Sequence, residues 1–310
     1  MRVAITGGAG FIGSNLAELL VKNGFSVSVF DNFETGTAEN LEGIEVSCTL
    51  GDLRDRVAIT SFLESGKFDY CFHLAAMGSV PRSIIDTRSS FEANVLGTFN
   101  LMEIAKKMKL PVIYSSSSSV YGANKKLPKT ENDLMSPISP YGSFKCANEA
   151  LIQGFSQSFN LMTQTFRLFN VYGPRQNPIG DYSAVIPRWM MAAFNRNPIK
   201  IYGSGDQKRD FTYVHDVSHV MLQTLKENYF AGDVINLAFG QPITLNQLSL
   251  IFKNYFPKLE IIYAPNRAGD IKDSESDPTK LHKSFGNVPH TPFLEGFNQT
   301  FEWYKKKYGF

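Results

Sequence analysis

Tyr141 and Lys145 stand four residues apart in "YGSFK", so on a helix they share one face, a turn apart. An ammonium beside a phenol lowers the phenol's pKa, so the pair predicts a tyrosine that acts as a base near neutral pH. By itself the spacing equally fits an aromatic next to a solvated lysine. A run of five serines, Ser115 to Ser119 in "YSSSSSVYG", follows an apolar stretch. A serine run is ordinarily loop. At the end of a buried strand it sits where α/β proteins place their ligands, and a hydroxyl there could orient a reacting group.

A third cluster lies near the N-terminus. In "TGGAGFIG", Gly7, Gly10 and Gly13 have GxxGxxG spacing, and Gly8, Gly10 and Gly13 also fit GxGxxG. Such glycines permit a tight turn and let a pyrophosphate approach the backbone at a helix N-terminus. Asp31 follows Gly13 by 18 positions, at the end of the next strand pattern. A carboxylate there hydrogen-bonds the adenosine ribose diol and repels a 2′-phosphate, which predicts NAD in preference to NADP. The alternative is a glycine-rich turn and a surface aspartate. The strand–turn–helix context decides for the dinucleotide, and with it for a catalytic Tyr141–Lys145 pair.

These groups need elements to hold them. "RVAIT", "FSVSVFD", "IEVSCTL", "FDYCFHLAA", "PVIYSS" and "MTQTFRLF" read as six strands, from their short apolar runs. "FIGSNLAELLVKNG" is an amphipathic helix with a glycine stop at Gly24. Two more helices are expected over about residues 88 to 109 and 141 to 160. Strands alternating with helices predict an α/β fold, a Rossmann-like doubly wound parallel sheet covered on both faces. After Asn170 proline and glycine become more frequent, and a smaller α/β C-terminal substrate lobe is expected. The division predicted is residues 1–169 for a dinucleotide-binding domain, with a contribution from about 211–238. Residues 170–210 and 239–310 form the smaller lobe.

Composition excludes several classes. With 310 residues, 43% apolar and 19% charged, the chain reads as an ordinary globular protein of about two domains. A net charge of +2 gives no reason to expect nucleic acid or an anionic membrane. No apolar run approaches the roughly 20 residues of a membrane span. Cys48, Cys71 and Cys146 are odd in number and widely spaced, which predicts free thiols, no metal site and a cytoplasmic location. His215 in "YVHDV" reads as a helix buttress, and the terminal "WYKKKYGF" as a solvated charge run.

In this order and at these spacings, "TGGAGFIG", "FDN", "GDLRD", "HLAA", "SSSSSVYG", "SPYGSFK", "LFNVYGPR", "RDFTYVHD" and "RAGD" are specific. Over its whole length the chain resembles the extended short-chain dehydrogenase/reductase enzymes that act on nucleotide sugars, the NAD-dependent epimerase/dehydratase family. The resemblance implies a catalytic triad of Ser117, Tyr141 and Lys145, Ser117 being found by counting four residues back from Tyr121. It implies cofactor contacts from Gly7, Gly10, Phe11, Ile12, Gly13, Asp31, Asn32, Thr35 and Gly36. Asp52 and Leu53 would hold the adenine, Leu74, Ala75 and Ala76 would line the groove, and Asn94 would lie near the nicotinamide side. Ser79 and Arg82 would face the sugar and its phosphates, Ser118 would shape the sugar pocket, and Asn170 would contact sugar or diphosphate. Arg209, Arg267 and Asp270 would clamp the nucleotide, around a uracil flanked by Ala184, Val185 and Tyr202. The resemblance also implies a homodimer paired through the two helices near residues 88–109 and 141–160.

Within that family, dehydrating members carry an Asp-Glu pair just after the catalytic serine, and decarboxylating members a Glu. Here both places are hydroxyls, Ser118 and Ser119. Without that carboxylate the simplest chemistry is oxidation and re-reduction at one carbon, which predicts 4-epimerisation of a UDP-hexose with NAD as a retained cofactor. A dehydratase or decarboxylase is one alternative; a non-catalytic NAD-sensing module is another, and the intact triad argues against it. The seventh residue after the arginine of "RAGD" is Ser274. In similar enzymes that residue lies over the C2 substituent of the sugar, and a bulky aromatic there excludes an N-acetyl group. The small Ser274, with "GSVPRS" and "YGPRQNPIGDYSAVIPR", predicts UDP-N-acetylglucosamine and UDP-N-acetylgalactosamine in preference to UDP-glucose and UDP-galactose.

Overall fold

The computed structural model describes residues 1–178, 183–265 and 273–310. Strands β1 (Arg2–Thr6), β2 (Ser26–Asp31), β3 (Val46–Leu50), β4 (Tyr70–His73), β5 (Val112–Ser117) and β6 (Thr163–Leu168) form one sheet with a seventh strand, Val234–Leu237. The order runs Val234–Leu237, β6, β5, β4, β1, β2, β3, and every pairing is parallel. From β1 the chain builds outward through β2 and β3, then crosses to β4 on the other side. That reversal opens a crevice beyond the ends of β1 and β4, where doubly wound sheets take their ligands.

The strand limits differ in places from the sequence expectation. The fourth strand stops at His73, because its partner β1 ends at Thr6, which is paired with His73. Leu74, Ala75 and Ala76 are therefore loop. The third strand begins only at Val46, and the fifth continues to Ser117.

Helices α1 (Phe11–Lys22), α2 (Arg56–Gly66), α3 (Val80–Ile85), α4 (Thr87–Phe91), α5 (Gly97–Met108) and α6 (Pro140–Phe159) cover the sheet. The helix expected over about 88–109 is not regular: Glu92–Leu96 forms a π-helical turn between α4 and α5. Helix α6 begins where its sequence says, with Ser139 as N-cap accepting from Gly142 N and Pro140 at the first position. One apolar core fills the face of the sheet under α1 and the Val214–Lys226 helix, and a second fills the face under α2, α5 and α6.

A third core lies in the C-terminal part of the chain. It packs Trp189, Phe252, Phe297 and Tyr304 among the helices Val185–Phe194, Leu245–Tyr255 and Phe293–Tyr308. A parallel pair, Ile199–Tyr202 with Ile261–Ala264, completes it. Among the described residues, no helix is long and apolar enough to cross a membrane.

Candidate active site

A cleft of about 880 Å³ opens beyond the ends of β1 and β4. Its first wall is the glycine turn. Gly7 has φ +74°, and a Cβ there would fall 2.6 Å from Ala75 Cα, so the β1 and β4 loops close up only around glycine. A Cβ on Gly13 would fall 2.3 Å from the Gly7 carbonyl oxygen. Gly10 caps α1 with no side-chain hydrogen bond, and Phe11, Ile12 and Gly13 line the cleft. The first turn of α1 thus faces the cleft with its N–H groups and positive dipole end, a cradle suited to a diphosphate.

Asp31 is buried at the end of β2. It accepts from Ala9 N (2.9 Å) and Phe33 N (2.8 Å), and burial still outweighs these bonds, holding its pKa above the ordinary value. Asn32 donates to Asp52 at 2.7 Å. The Arg54 guanidinium holds Asp52 down at about 2. Asp31, Asn32, Thr35, Asp52, Leu53, Leu74, Ala75 and Ala76 all line the cleft. Gly36 and Asn94 are not on its wall as described. Gly36 packs against the Ala9–Gly10 backbone. Asn94 is buried behind the wall, where its side chain accepts from Met77 N and donates to Ser90 O.

At the other end stand Ser117, Tyr141 and Lys145, all three lining the cleft. Strand β5 delivers Ser117, whose side chain accepts from Ser119 N and Ser119 Oγ (2.8 Å) as the chain turns into a 3₁₀ segment. Tyr141 N donates to Ser83 Oγ at 3.1 Å, which ties the start of α6 to α3. Lys145 Nζ donates to Ser115 O at 2.7 Å. The electrostatics differ from the sequence expectation. Burial pushes Tyr141 up to about 12, against a smaller opposing hydrogen bond with the Ser117 side chain. Burial also brings Lys145 down to about 7, with Glu149 opposing. In both groups desolvation outweighs the favourable partner.

Behind the triad runs a polar network that the sequence did not announce. Ser116 Oγ donates to Glu149, and Arg167 pairs with Glu149 at 2.7 Å with both side chains 4% exposed. Arg167 also donates to the Tyr121 hydroxyl at 2.8 Å, which in turn donates to Asn236 Oδ1. Glu149 is one helical turn beyond Lys145, a spacing that could have flagged it.

The sugar-nucleotide residues are placed unevenly. Ser79 caps α3 by accepting from Arg82 N and lines the cleft, as does Ala184. Arg82 also lines it, but its guanidinium is paired with Glu34, in the segment after β2, which Arg54 approaches at 3.7 Å. Asn170 adopts φ +33°, a left-handed conformation that Asn tolerates, and donates to Asp210 O (3.2 Å) and Ser274 Oγ (3.1 Å). Ser118, Val185, Tyr202, Arg209 and Ser274 stand off the described wall, Ser274 reaching it through Asn170. Arg267 and Asp270 lie outside the described residues.

The wall also holds residues that sequence reasoning missed. Arg175 ends the "YGPR" stretch and Gln176 follows it, and Trp303, Lys307 and Tyr308 come from the C-terminal helix. The run expected to be solvated therefore has one face against the cleft, and Tyr304 within it is fully buried. Its aromatics at a spacing of four were the available signal. His215 matches its expected buttress role, with Nε2 3.2 Å from Asn15 Oδ1.

Residues 3–238 match the NAD dependent epimerase/dehydratase family. The chain is 32% identical over 313 residues to the UDP-glucose 4-epimerase of Mycolicibacterium smegmatis, covering 99% of both. Its fold superposes with a TM-score of 0.94 on the UDP-glucose 4-epimerase of Thermotoga maritima with UDP-glucose, at 33% identity and covering 99% and 100% of the two chains. A TM-score of 0.93 relates it to the UDP-N-acetylglucosamine 4-epimerase of Methanobrevibacter ruminantium M1 in complex with UDP-N-acetylmuramic acid, at 34% identity over 99% and 98%. With the family model spanning residues 3–238 and relatives above 30% identity along nearly the whole length, the chain belongs to the NAD-dependent epimerase/dehydratase family.

Proposed function

We propose that the protein is a UDP-hexose 4-epimerase whose preferred pair is UDP-N-acetylglucosamine and UDP-N-acetylgalactosamine. The carrying observation is the turn after Ser117, where serine hydroxyls stand in place of an extra acid or base: Ser119 Oγ donates to Ser117 Oγ at 2.8 Å. The carboxylate nearest in the network, Glu149, is committed to Arg167 and Ser116. Elimination and decarboxylation need a further proton-transfer group, and the group beside Ser117 is Tyr141.

In this reading Ser117 orients the C4 hydroxyl, and Tyr141 takes its proton and later returns it to the same oxygen. Lys145 holds the β5 end through Ser115 O. NAD, when bound, supplies the hydride acceptor and donor for C4. The glycine turn, Asp31 and the Asp52–Leu53 loop hold its diphosphate and adenosine. The uridine end is assigned to Ala184, Val185, Tyr202, Arg209, Arg267 and Asp270, a reading supported by the place of Ala184 on the wall. The preference for the N-acetylated pair rests on Ser274, whose small hydroxyl meets Asn170 beside the cleft.

The test is product analysis by NMR on a panel of UDP-sugars, with kcat/KM for both substrate pairs. A 4-epimer is expected, with the N-acetylated pair preferred and Ser274→Tyr suppressing that pair selectively. A 4-keto-6-deoxy product, or no product, would overturn the activity; a preference for UDP-glucose would overturn only the substrate. The proposal extends to a cytoplasmic homodimer. Phe91, Leu96, Phe99 and Phe159 are 40–52% exposed on the helices expected to pair. The domain division proposed is 1–169 with about 211–238, against 170–210 and 239–310.

A further inference from the structure

The C-terminal helix, Phe293–Tyr308, is the part of the cleft wall that neither the glycine turn nor the triad explains. Trp303 and Lys307 stand one turn apart on one face, Tyr308 follows Lys307, and all three line the cleft. Three contacts place that face beside the adenosine–diphosphate half. Phe11 and Ile12, in the first turn of α1, pack on the same core as Trp303 and Tyr308. Tyr304 donates its hydroxyl to Gln176 O, fixing the helix to the loop that follows "YGPR". Lys307 forms an ion pair with Glu39, in the 3₁₀ turn Ala38–Leu41. That turn belongs to the segment after β2, downstream of Asp31, and Glu39 lines the cleft as well.

We propose that this helix is a further wall of the dinucleotide site, with Trp303 as a cofactor-contacting residue and the Lys307–Glu39 pair as the tie that holds it in place. An indole is flat and apolar with one N–H donor, and it suits a nucleoside far better than bulk water does. The pair joins two elements that both border the cleft, so it holds the helix against the site. Lys307 and Glu39 are 25% and 55% exposed, so the tie is weak and screened by salt. The inference rests on NAD as the cofactor and not on which sugar is epimerised.

The experiment uses the full-length chain with NADH as the probe, by equilibrium titration of its fluorescence and by stopped-flow displacement with excess NAD. Trp303→Ala is expected to weaken NADH roughly tenfold, a stacked aromatic being worth about that much. UDP affinity should stay within about twofold, since UDP occupies the other end. Lys307→Glu and Glu39→Lys should each speed NADH release roughly threefold, the scale of an exposed pair, and the double exchange should restore the wild-type rate. Salt should speed release from the wild type more than from either single variant. If Trp303→Ala and Lys307→Glu both bind and release NADH within twofold of wild type, the helix is no part of the cofactor site. If Trp303→Ala does not fold, the two single charge variants and their double decide it. Release unchanged in both singles, or unrestored in the double, overturns the proposal.

Discussion

Lys145 Nζ lies 5.8 Å from the centre of the Tyr141 ring and 4.7 Å from that of Tyr114, while it donates to the Ser115 carbonyl. Both Tyr141 and Lys145 are driven toward their neutral forms by burial, to about 12 and about 7. Burial thus favours the protonated phenol over the phenolate. Charge that arrives with the ligands has to activate it, which couples proton removal to their binding.

Tyr141→Phe is therefore expected to lower turnover by at least about 10²-fold while NADH binding persists, because the ring stays and only the proton carrier goes. Epimer formation followed by NMR, alongside an NADH titration, checks it. Near-wild-type turnover would remove Tyr141 from the role of base.

Ser117 lines the cleft and Ser118 begins the turn behind it. Ser117→Ala should lower kcat by about ten- to a hundredfold, as loss of a positioned hydrogen bond does, and Ser118→Ala by much less. The reverse ranking in steady-state assays would mean that the sugar meets the other hydroxyl.

Asp31 is 7% exposed and already carries a charge that burial disfavours. A 2′-phosphate beside it adds a second anion in a confined site, at a cost of several kcal/mol, about a hundredfold or more in affinity. Cofactor extracted from denatured protein should be NAD, and Asp31→Ser should narrow the NAD-to-NADP ratio of dissociation constants. Recovery of mainly NADP from the wild type contradicts this.

Glu149 and Arg167 form an ion pair sealed from solvent behind the triad. Glu149→Gln leaves the guanidinium buried without its counter-charge, which costs about 3–5 kcal/mol. The paired change Glu149→Leu with Arg167→Met should cost less than Glu149→Gln alone. Urea unfolding of the three proteins measures both.

His73 is fully buried between Thr6 and Thr98, with its ring nitrogens 2.8 Å from each hydroxyl, and burial lowers its pKa from 6.5 to about 3. Between those values the unfolded chain binds a proton that the native state does not. His73 therefore contributes stability that is present above pH 6.5 and is lost as pH falls toward 3, at up to about 1.4 kcal/mol per pH unit. Unfolding free energies across that range should flatten in His73→Gln. An unchanged slope would assign the acid sensitivity to other groups.

Local chemistry made much of this protein legible from its residues alone. Glycines at 7, 10 and 13 specify a turn and a helix start, which the structure has, and they make Asp31 after the next strand a proposed ribose partner, since each depends on backbone reach and on residues close in the chain. The parallel sheet followed from apolar runs alternating with helical ones, and the Tyr141–Lys145 pair from helical spacing. Tertiary structure alone decided what depends on desolvation and on distant contacts. Burial raised the pKa of Tyr141 where helical spacing led one to expect it lowered, because removing charge from water outweighs the hydrogen bond with Ser117. The Arg82 guanidinium turned to Glu34, 48 residues away, and the Glu149–Arg167 pair closed between a helix and a strand. The terminal run "WYKKKYGF" is rich in lysine, so its composition reads as solvated. Its aromatics four apart mark a face to be covered, and only the packing of Tyr304 against the Gln176 loop decided that Trp303 and Lys307 border the cleft.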